Sequence, residues 1–461
     1  MSAKQNVDIP GRLPTDICRP AAKQQSRGFA GAKRKVHQVM VEFSVLANAT
    51  TDGITSNLNS LWLLVAAALV LVMTPGVAFF YGGMVRAKSV ISMMMMSFGA
   101  MGLIGVLWVL YGYGMAFGTP AIPGWLGNPF DGSMGLGNLI GVGEGGKLSP
   151  DLPGLAFAGF QATFAIITVA LISGAIADRA KFVPWMVFAG VWSTLVYFPA
   201  AYWVFNLKDG WAPHDLQVND FAGGTAVHIN AGAAGLALAL VLGKRVGFQK
   251  GMSKPHNVPL TLLGAALLWV GWFGFNAGSE AAVDGVAALA WINTLAAPAA
   301  GILGWLIVER IRDGKPTSIG AASGAVAGLV AITPACNILT PGWAIMLGIL
   351  AGAVCALAIE LKFKLGFDDS LDVVGIHLVG GLLGTLYVGI FGSGIGLIDT
   401  GSFKQLGVQA LAAFGIGIYS FGMAWVIGTV IQKTMGFRIT NEDEVAGVDT
   451  IVHGEEGYAL E

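Results

Sequence analysis

Apolar positions in this chain fall in long unbroken runs, not in the alternating or one-sided patterns of soluble strands and helices. A helix that crosses a bilayer needs about 20 mainly apolar residues. Eleven segments read this way: about 58–80, 89–117, 155–178, 183–205, 221–242, 258–279, 284–308, 318–335, 341–361, 373–393 and 406–432. The eighth is short and runs into Thr333 and Pro334, which predicts a helix that breaks or stops early. The expected fold is an all-α membrane protein of eleven transmembrane helices.

Charge then orients these helices. The loops that follow odd-numbered spans hold thirteen Lys and Arg, and the alternate loops hold three, Lys147, Lys208 and Lys404. The cationic side is expected in the cytoplasm, which puts the amino terminus outside and the carboxyl tail inside. Residues 1–40 oppose this, with eight Lys/Arg and two Asp and no apolar signal segment. Residues 1–57 are therefore expected to be a disordered extension or to reflect a mis-assigned start, with Met40 the obvious alternative. Residues 58–432 form the membrane domain and 433–461 a cytoplasmic tail. Of the 461 residues 55% are hydrophobic and 11% charged, against about 25% charged in soluble domains. The net charge of −1 gives no bulk attraction to nucleic acid. The three cysteines form no C-x-x-C pair, so neither a disulfide framework nor a metal site is expected, and no cofactor.

Two histidines lie inside apolar runs with near-matching surroundings. His228 sits in DFAGGTAVHINAGAAG (220–235) and His377 in DSLDVVGIHLVGGLLG (369–384). Each has an aspartate eight residues earlier, a β-branched neighbour just before it, and glycines four and seven residues later. Ionisable groups within a span are costly and mark function. The two fall in spans five and ten, so the chain reads as two five-helix repeats, about 58–242 and 258–393, with 406–432 an extra helix. Five is odd, so the second repeat runs inverted, and such repeats place a solute path at their interface near the midplane. Two facing neutral imidazoles can share one hydrogen bond and turn their other nitrogens to a solute. The plainer alternative is two separate histidines, each satisfied by helix contacts.

Aromatic residues gather near the outer ends of spans three, four and six: Phe160, Phe164, Tyr202, Trp203, Phe205, Trp272, Phe273 and Phe275. They read either as an interfacial belt or as a cation–π site. Ser279 follows Phe275 by one helical turn and could add a hydroxyl acceptor. Gly320, Gly324 and Gly328, with Gly348 and Gly352, are expected packing faces. Met93 to Met96 read as packing or lipid-facing surface, Pro75 as a kink, and the polar tail as either disordered or docked.

With these residues in place, the chain resembles the ammonium transporter (Amt/Mep/Rh) family, in its Amt branch. The resemblance covers about 58–461 and rests on PGVAFFYGGMVRAKSV (75–90), DFAGGTAVHINAG (220–232), KPHNVPL (254–260), GWFGFNAGS (271–279), GKPTSIGAASGAVAGLVAITPAC (314–336), DVVGIHLVGG (372–381) and the tail. It implies a homotrimer with a pore in each subunit, and His228 and His377 as twin pore histidines. Phe164 and Phe275 correspond to a stacked gate with Phe160 alongside. Ser279 corresponds to the hydroxyl of the outer ammonium site, Asp220 to the aspartate that supports it, and Phe80 and Trp272 to apolar pore lining. The family usually closes that outer site with Trp where this chain has Phe205, a weaker cation–π partner, unless Trp203 or Trp211 substitutes. In some relatives a PII signalling protein binds the cytoplasmic face.

The resemblance implies ammonium uptake, with methylammonium as an analogue: recruitment at the aromatic mouth, loss of a proton, and passage of ammonia past the histidines. The alternatives are a neutral gas channel of the Rh type and an ammonium sensor that signals through its tail. No nucleophile or substrate motif points to an enzyme.

Overall fold

The computed structural model describes residues 21–458 apart from 132–134, 144, 146 and 250–253, and little beyond the backbone of 21–50. It comprises two units, Met1–Ser56 and Asn57–Glu461. Helix α1 is Ala21–Met84, and its part Thr51–Met84 is long and apolar enough to span a membrane. Of the expected extension, residues 1–20 lie outside the described residues. From Ala21 the backbone is helical, in a stretch rich in the strong helix formers Ala, Lys and Gln.

Nine further helices among the described residues are long and apolar enough to span: α2 (Ala87–Phe117), α3 (Leu152–Ile176), α4 (Phe182–Phe205), α5 (Gly224–Leu242), α6 (Val258–Gly278), α7 (Gly285–Arg312), α9 (Pro341–Leu365), α10 (Val374–Phe391) and α11 (Lys404–Thr434), with the shorter apolar α8 (Ser318–Ile332) between α7 and α9. Every expected segment falls on one of these helices. Between α2 and α3 lie two antiparallel hairpins that hydropathy does not reveal: β1 (Pro120–Ile122) with β2 (Leu126–Gly127), and β3 (Ile140–Val142) with β4 (Leu148–Pro150).

The glycine stripes are sites of backbone contact. A methyl group at Gly348 or Gly352 of α9 would overlap the carbonyl oxygens of Ala297 and Gly301 in α7, and one at Gly324 or Gly328 of α8 meets those same carbonyls. Small residues therefore set the spacing of three helices, as close packing in lipid requires. The four methionines divide, Met93 and Met96 inward and Met95 outward.

Helices α5 and α10 carry the histidines and begin in the interior, where unpaired N–H groups are costly. A carboxylate meets this need in each. Asp220 accepts from the N–H groups of Gly223, Gly224 and Thr225 at 3.0, 2.6 and 2.7 Å, and from the Thr225 hydroxyl at 2.5 Å. Asp369 accepts from Val373 and Val374 at 3.2 and 2.8 Å. The turn into α5 takes Gly223 to φ +111, a conformation that excludes most side chains.

Residues after α11 fold against the bundle as α12 (Asn441–Ala446) and α13 (Val448–His453). Phe437 and Ile439 pair with the backbone around Arg179 (Lys181 N to Phe437 O 2.9 Å, Ile439 N to Arg179 O 3.0 Å). Glu444 takes the N–H of Val246 at 2.7 Å and the Arg438 guanidinium at 2.9 Å. Asp449 receives the N–H groups of Ile91 and Ser92 at 2.9 and 2.7 Å, near the start of α2. The tail is thus a docked element whose acids meet free N–H groups. On this same face Arg245 joins Asp178 and Asp368 at 3.1 and 2.9 Å. The buried Arg179 reaches Ser370 Oγ and the Asp368 carbonyl, each at 2.5 Å. Burial pulls the Arg179 guanidinium down to about 10 against the pull of Asp368, so it stays charged at neutral pH.

Candidate functional site

The caps just described deliver the two histidines to each other. His228 and His377 each lie in a widened π-type turn at the start of their helices, Gly224–Ile229 and Val374–Leu378. Their Nδ1 atoms are 3.3 Å apart, and the rings are near-parallel at 5.3 Å and 22°. One Nδ1 must donate and the other accept, so the neutral pair holds two different tautomers. Both rings are buried, and the Nε2 of His228 has no partner.

Both histidines help to line a cavity of about 10 Å³, with Phe80, Tyr81, Trp272, Phe275, Met73 and aliphatic side chains. This is room for one water-sized molecule. Val77, Phe80 and Tyr81 come from one face of α1, and Leu268, Trp272 and Phe275 from one face of α6. Trp272 stacks on His228 with centroids at 5.4 Å and 21°. Tyr81 is a lining residue that sequence reasoning missed, although its spacing from Val77 marks a shared face.

Above the cavity, Phe164 and Phe275 stack at 4.1 Å and 16°. Phe160 meets Phe164 edge-on at 4.8 Å, and Phe205 does so at 5.9 Å. Phe164 and Phe275 are fully buried, while Phe205 and Ser279 are partly exposed. The Ser279 hydroxyl donates to the Phe275 carbonyl at 2.8 Å, which leaves its oxygen free to accept.

Other expected members lie elsewhere. Asp220 has both carboxylate oxygens engaged by the start of α5, so it supports this region by capping a helix. Trp203 packs with Trp125, Trp211 and Tyr419 and donates to the Trp125 carbonyl at 2.7 Å. Phe273 stacks on Trp291 at 4.5 Å. Of Phe205, Trp203 and Trp211, Phe205 is the one whose ring packs on Phe164. On the tail face a cavity of about 450 Å³ is lined by charged residues that include Arg86, Asp178, Arg245, Lys362, Asp372 and Glu444.

Eleven apolar helices around a narrow lining with a facing imidazole pair define a membrane transport protein for a small solute. The chain belongs to the Ammonium Transporter Family, which it matches over residues 61–458. It is 51% identical over 436 residues to an ammonium transporter of Mycobacterium tuberculosis, covering 88% of this chain and 91% of that protein. To an ammonium transporter of Bacillus subtilis it is 43% identical over 408 residues, covering 87% and 98%. Among solved structures, Mep2 of Saccharomyces cerevisiae is similar with a TM-score of 0.75 and 34% identity, over 84% of this chain and 90% of that one. A protein described as a sensor Amt protein matches with a TM-score of 0.80 and 29% identity, over 87% and 100%. The family is one of ammonium transporters, not enzymes, and the chain is a multi-pass membrane protein of ammonium transport.

Proposed function

We propose that the protein imports ammonium by drawing it to the mouth formed by Phe205 and Ser279, removing one proton, and conducting ammonia past His228 and His377. At the mouth the Phe205 face and the free lone pairs of Ser279 attract a small cation. The Phe164 and Phe275 rings must part for it to pass, and Phe160 limits where Phe164 can go. Beyond them Phe80 and Trp272 help to line an apolar cavity with space for one small molecule. An intact ion at such a depth costs at least about 3 kcal/mol. Ammonium escapes that cost by releasing a proton, whereas potassium cannot.

One observation carries this reading: His228 lines a cavity of about 10 Å³ with its Nε2 partnerless and its Nδ1 paired to His377. It is tested by recording current and isotope flux on reconstituted membranes during ammonium, methylammonium and potassium pulses. Ammonium-evoked current with no potassium current supports it. Flux without current favours the neutral gas channel, and equal currents for both cations overturn the proposal.

The proposed orientation places the tail in the cytoplasm of a cell-membrane protein and the amino terminus outside, from the excess of Lys and Arg on the tail face. Protease access to the tail in sealed vesicles checks it. We further propose a homotrimer with one pore per subunit, testable by native mass measurement, and a PII partner at the tail face, testable by co-purification. The docked tail and the likeness to a sensor Amt protein favour one second reading, that the protein also signals ammonium. Tail variants that abolish signalling while leaving flux intact would carry it.

A further inference from the structure

Four side chains lining the central cavity bear polar atoms: Tyr81, Trp272, His228 and His377. Two of these have their protons engaged by other residues. The Tyr81 hydroxyl donates to the Leu171 carbonyl at 3.1 Å. The Trp272 indole Nε1–H donates to the hydroxyl of Thr333 at 2.8 Å. Thr333 in turn gives its own proton to the Leu329 carbonyl at 2.8 Å, so its oxygen faces the indole as an acceptor. Thr333 is fully buried, does not line the cavity, and stands where the short α8 ends. The next residue, Pro334, accepts from Asn219 Nδ2 at 2.8 Å in the loop that leads to the α5 cap.

We infer that Thr333 is a positioning residue for selectivity, acting through Trp272. The inference rests on the reading that ammonia passes the paired histidines. Stacking fixes the distance between an indole and an imidazole but leaves the indole free to turn in its own plane. The bond to Thr333 removes that freedom and so sets the surface on which His228 rests. It also holds the indole proton away from the solute, since a buried N–H without an acceptor must find one elsewhere. The Nε2 of His228 then remains a nitrogen without a partner, and Tyr81, its proton given to Leu171, keeps only acceptor capacity. The early end of α8 acquires a purpose: it stops at the residue that Trp272 requires.

The test uses full-length protein in reconstituted membranes, with ammonium-evoked current, its half-saturating concentration and the ammonium-over-potassium ratio as readouts. Thr333→Val keeps the shape and removes the acceptor. Thr333→Ser keeps the acceptor. The expected result is a loss of selectivity of about ten-fold in Thr333→Val, the factor that one hydrogen bond's free energy produces, with Thr333→Ser close to wild type. In a Trp272→Phe background there is no indole proton to satisfy, so adding Thr333→Val should change nothing further. If Thr333→Val alone fails to assemble, assembly of the Trp272→Phe/Thr333→Val pair shows the same dependence, and failure of both overturns it. Wild-type selectivity in Thr333→Val, or an equal loss with and without Trp272, also overturns the assignment. A parallel His228→Asp variant separates the two ideas. If it keeps ammonium selectivity, the histidine reading fails; if it loses selectivity while Thr333→Val does not, only Thr333 is wrongly assigned.

Discussion

His228 and His377 pair their Nδ1 atoms at 3.3 Å and line a cavity with room for one water-sized molecule. Replacing His228 by Asp puts an acceptor-only group and a fixed negative charge there, which lowers the barrier for an intact cation. Potassium should begin to compete, measured as current carried by potassium alone. Replacing both histidines by Ala should reduce ammonium-driven current far more than ammonia permeation measured by isotope. At the mouth, Phe205→Trp should strengthen cation attraction and lower the half-saturating ammonium concentration about two- to five-fold. A third residue adds a pH effect. Burial raises the Asp369 carboxyl from 3.8 to about 6, with Lys362 opposing and Asp372 adding to the rise. A carboxyl raised on folding contributes stability below its unfolded value, and that contribution disappears as pH climbs through the folded one. Melting temperature should therefore fall from about pH 4 to about pH 6, and Asp369→Asn, which keeps a capping oxygen, should flatten that fall.

Helices α5 and α10 show how far sequence could lead. The spacing of Asp220 before His228 and of Asp369 before His377 was visible, and so was the repeat. What each aspartate does was not, because a cap depends on where the chain turns, and Gly223 turns it so that three successive N–H groups converge on one carboxylate. All eleven spans were legible because hydropathy over about twenty residues is a strong signal. The β1–β2 and β3–β4 hairpins were not, being short and without apolar runs. Among the aromatics, composition could not separate Phe205, which packs on Phe164, from Trp203 and Phe273, which pack elsewhere. The eleventh helix, outside the repeat, is tied in by Gln409, whose amide exchanges two bonds of 2.9 Å with the Asn219 backbone beside the α5 cap. The tail holds α2 through Asp449 of α13 and the Arg179 loop through Phe437 and Ile439, and Arg179 holds the segment that caps α10. Truncation after Lys433 should thus lower ammonium flux while leaving subunit number unchanged. Unaltered flux in a complex of verified mass would show the tail to be passive.

For the whole molecule, the two ends of the conduit are held by different chemistry. The end near Asp220 is fastened by that one carboxylate and by neutral amides, Asn219, Asn337 and Gln409. The tail end is fastened by ions, Arg179, Arg245, Asp178 and Asp368. The membrane unit also contains all the residues named in the site, so the amino-terminal stretch should be dispensable. Protein beginning at Met40 keeps the whole first span from Thr51 and should insert and carry ammonium normally, as membrane fractionation and flux would register.

The Nδ1–Nδ1 contact carries one consequence for turnover. A single proton lies between the rings, so the pair has a direction. If His228 is the donor, its Nε2 is bare while that of His377 bears a hydrogen. A proton entering at the bare end and another leaving at the far end would shift the shared proton across and leave the arrow reversed. The next proton could not follow by the same route until the arrow turned back. Such a pair behaves as a turnstile with two positions, and the rate of its resetting sets an upper limit on how fast charge can pass.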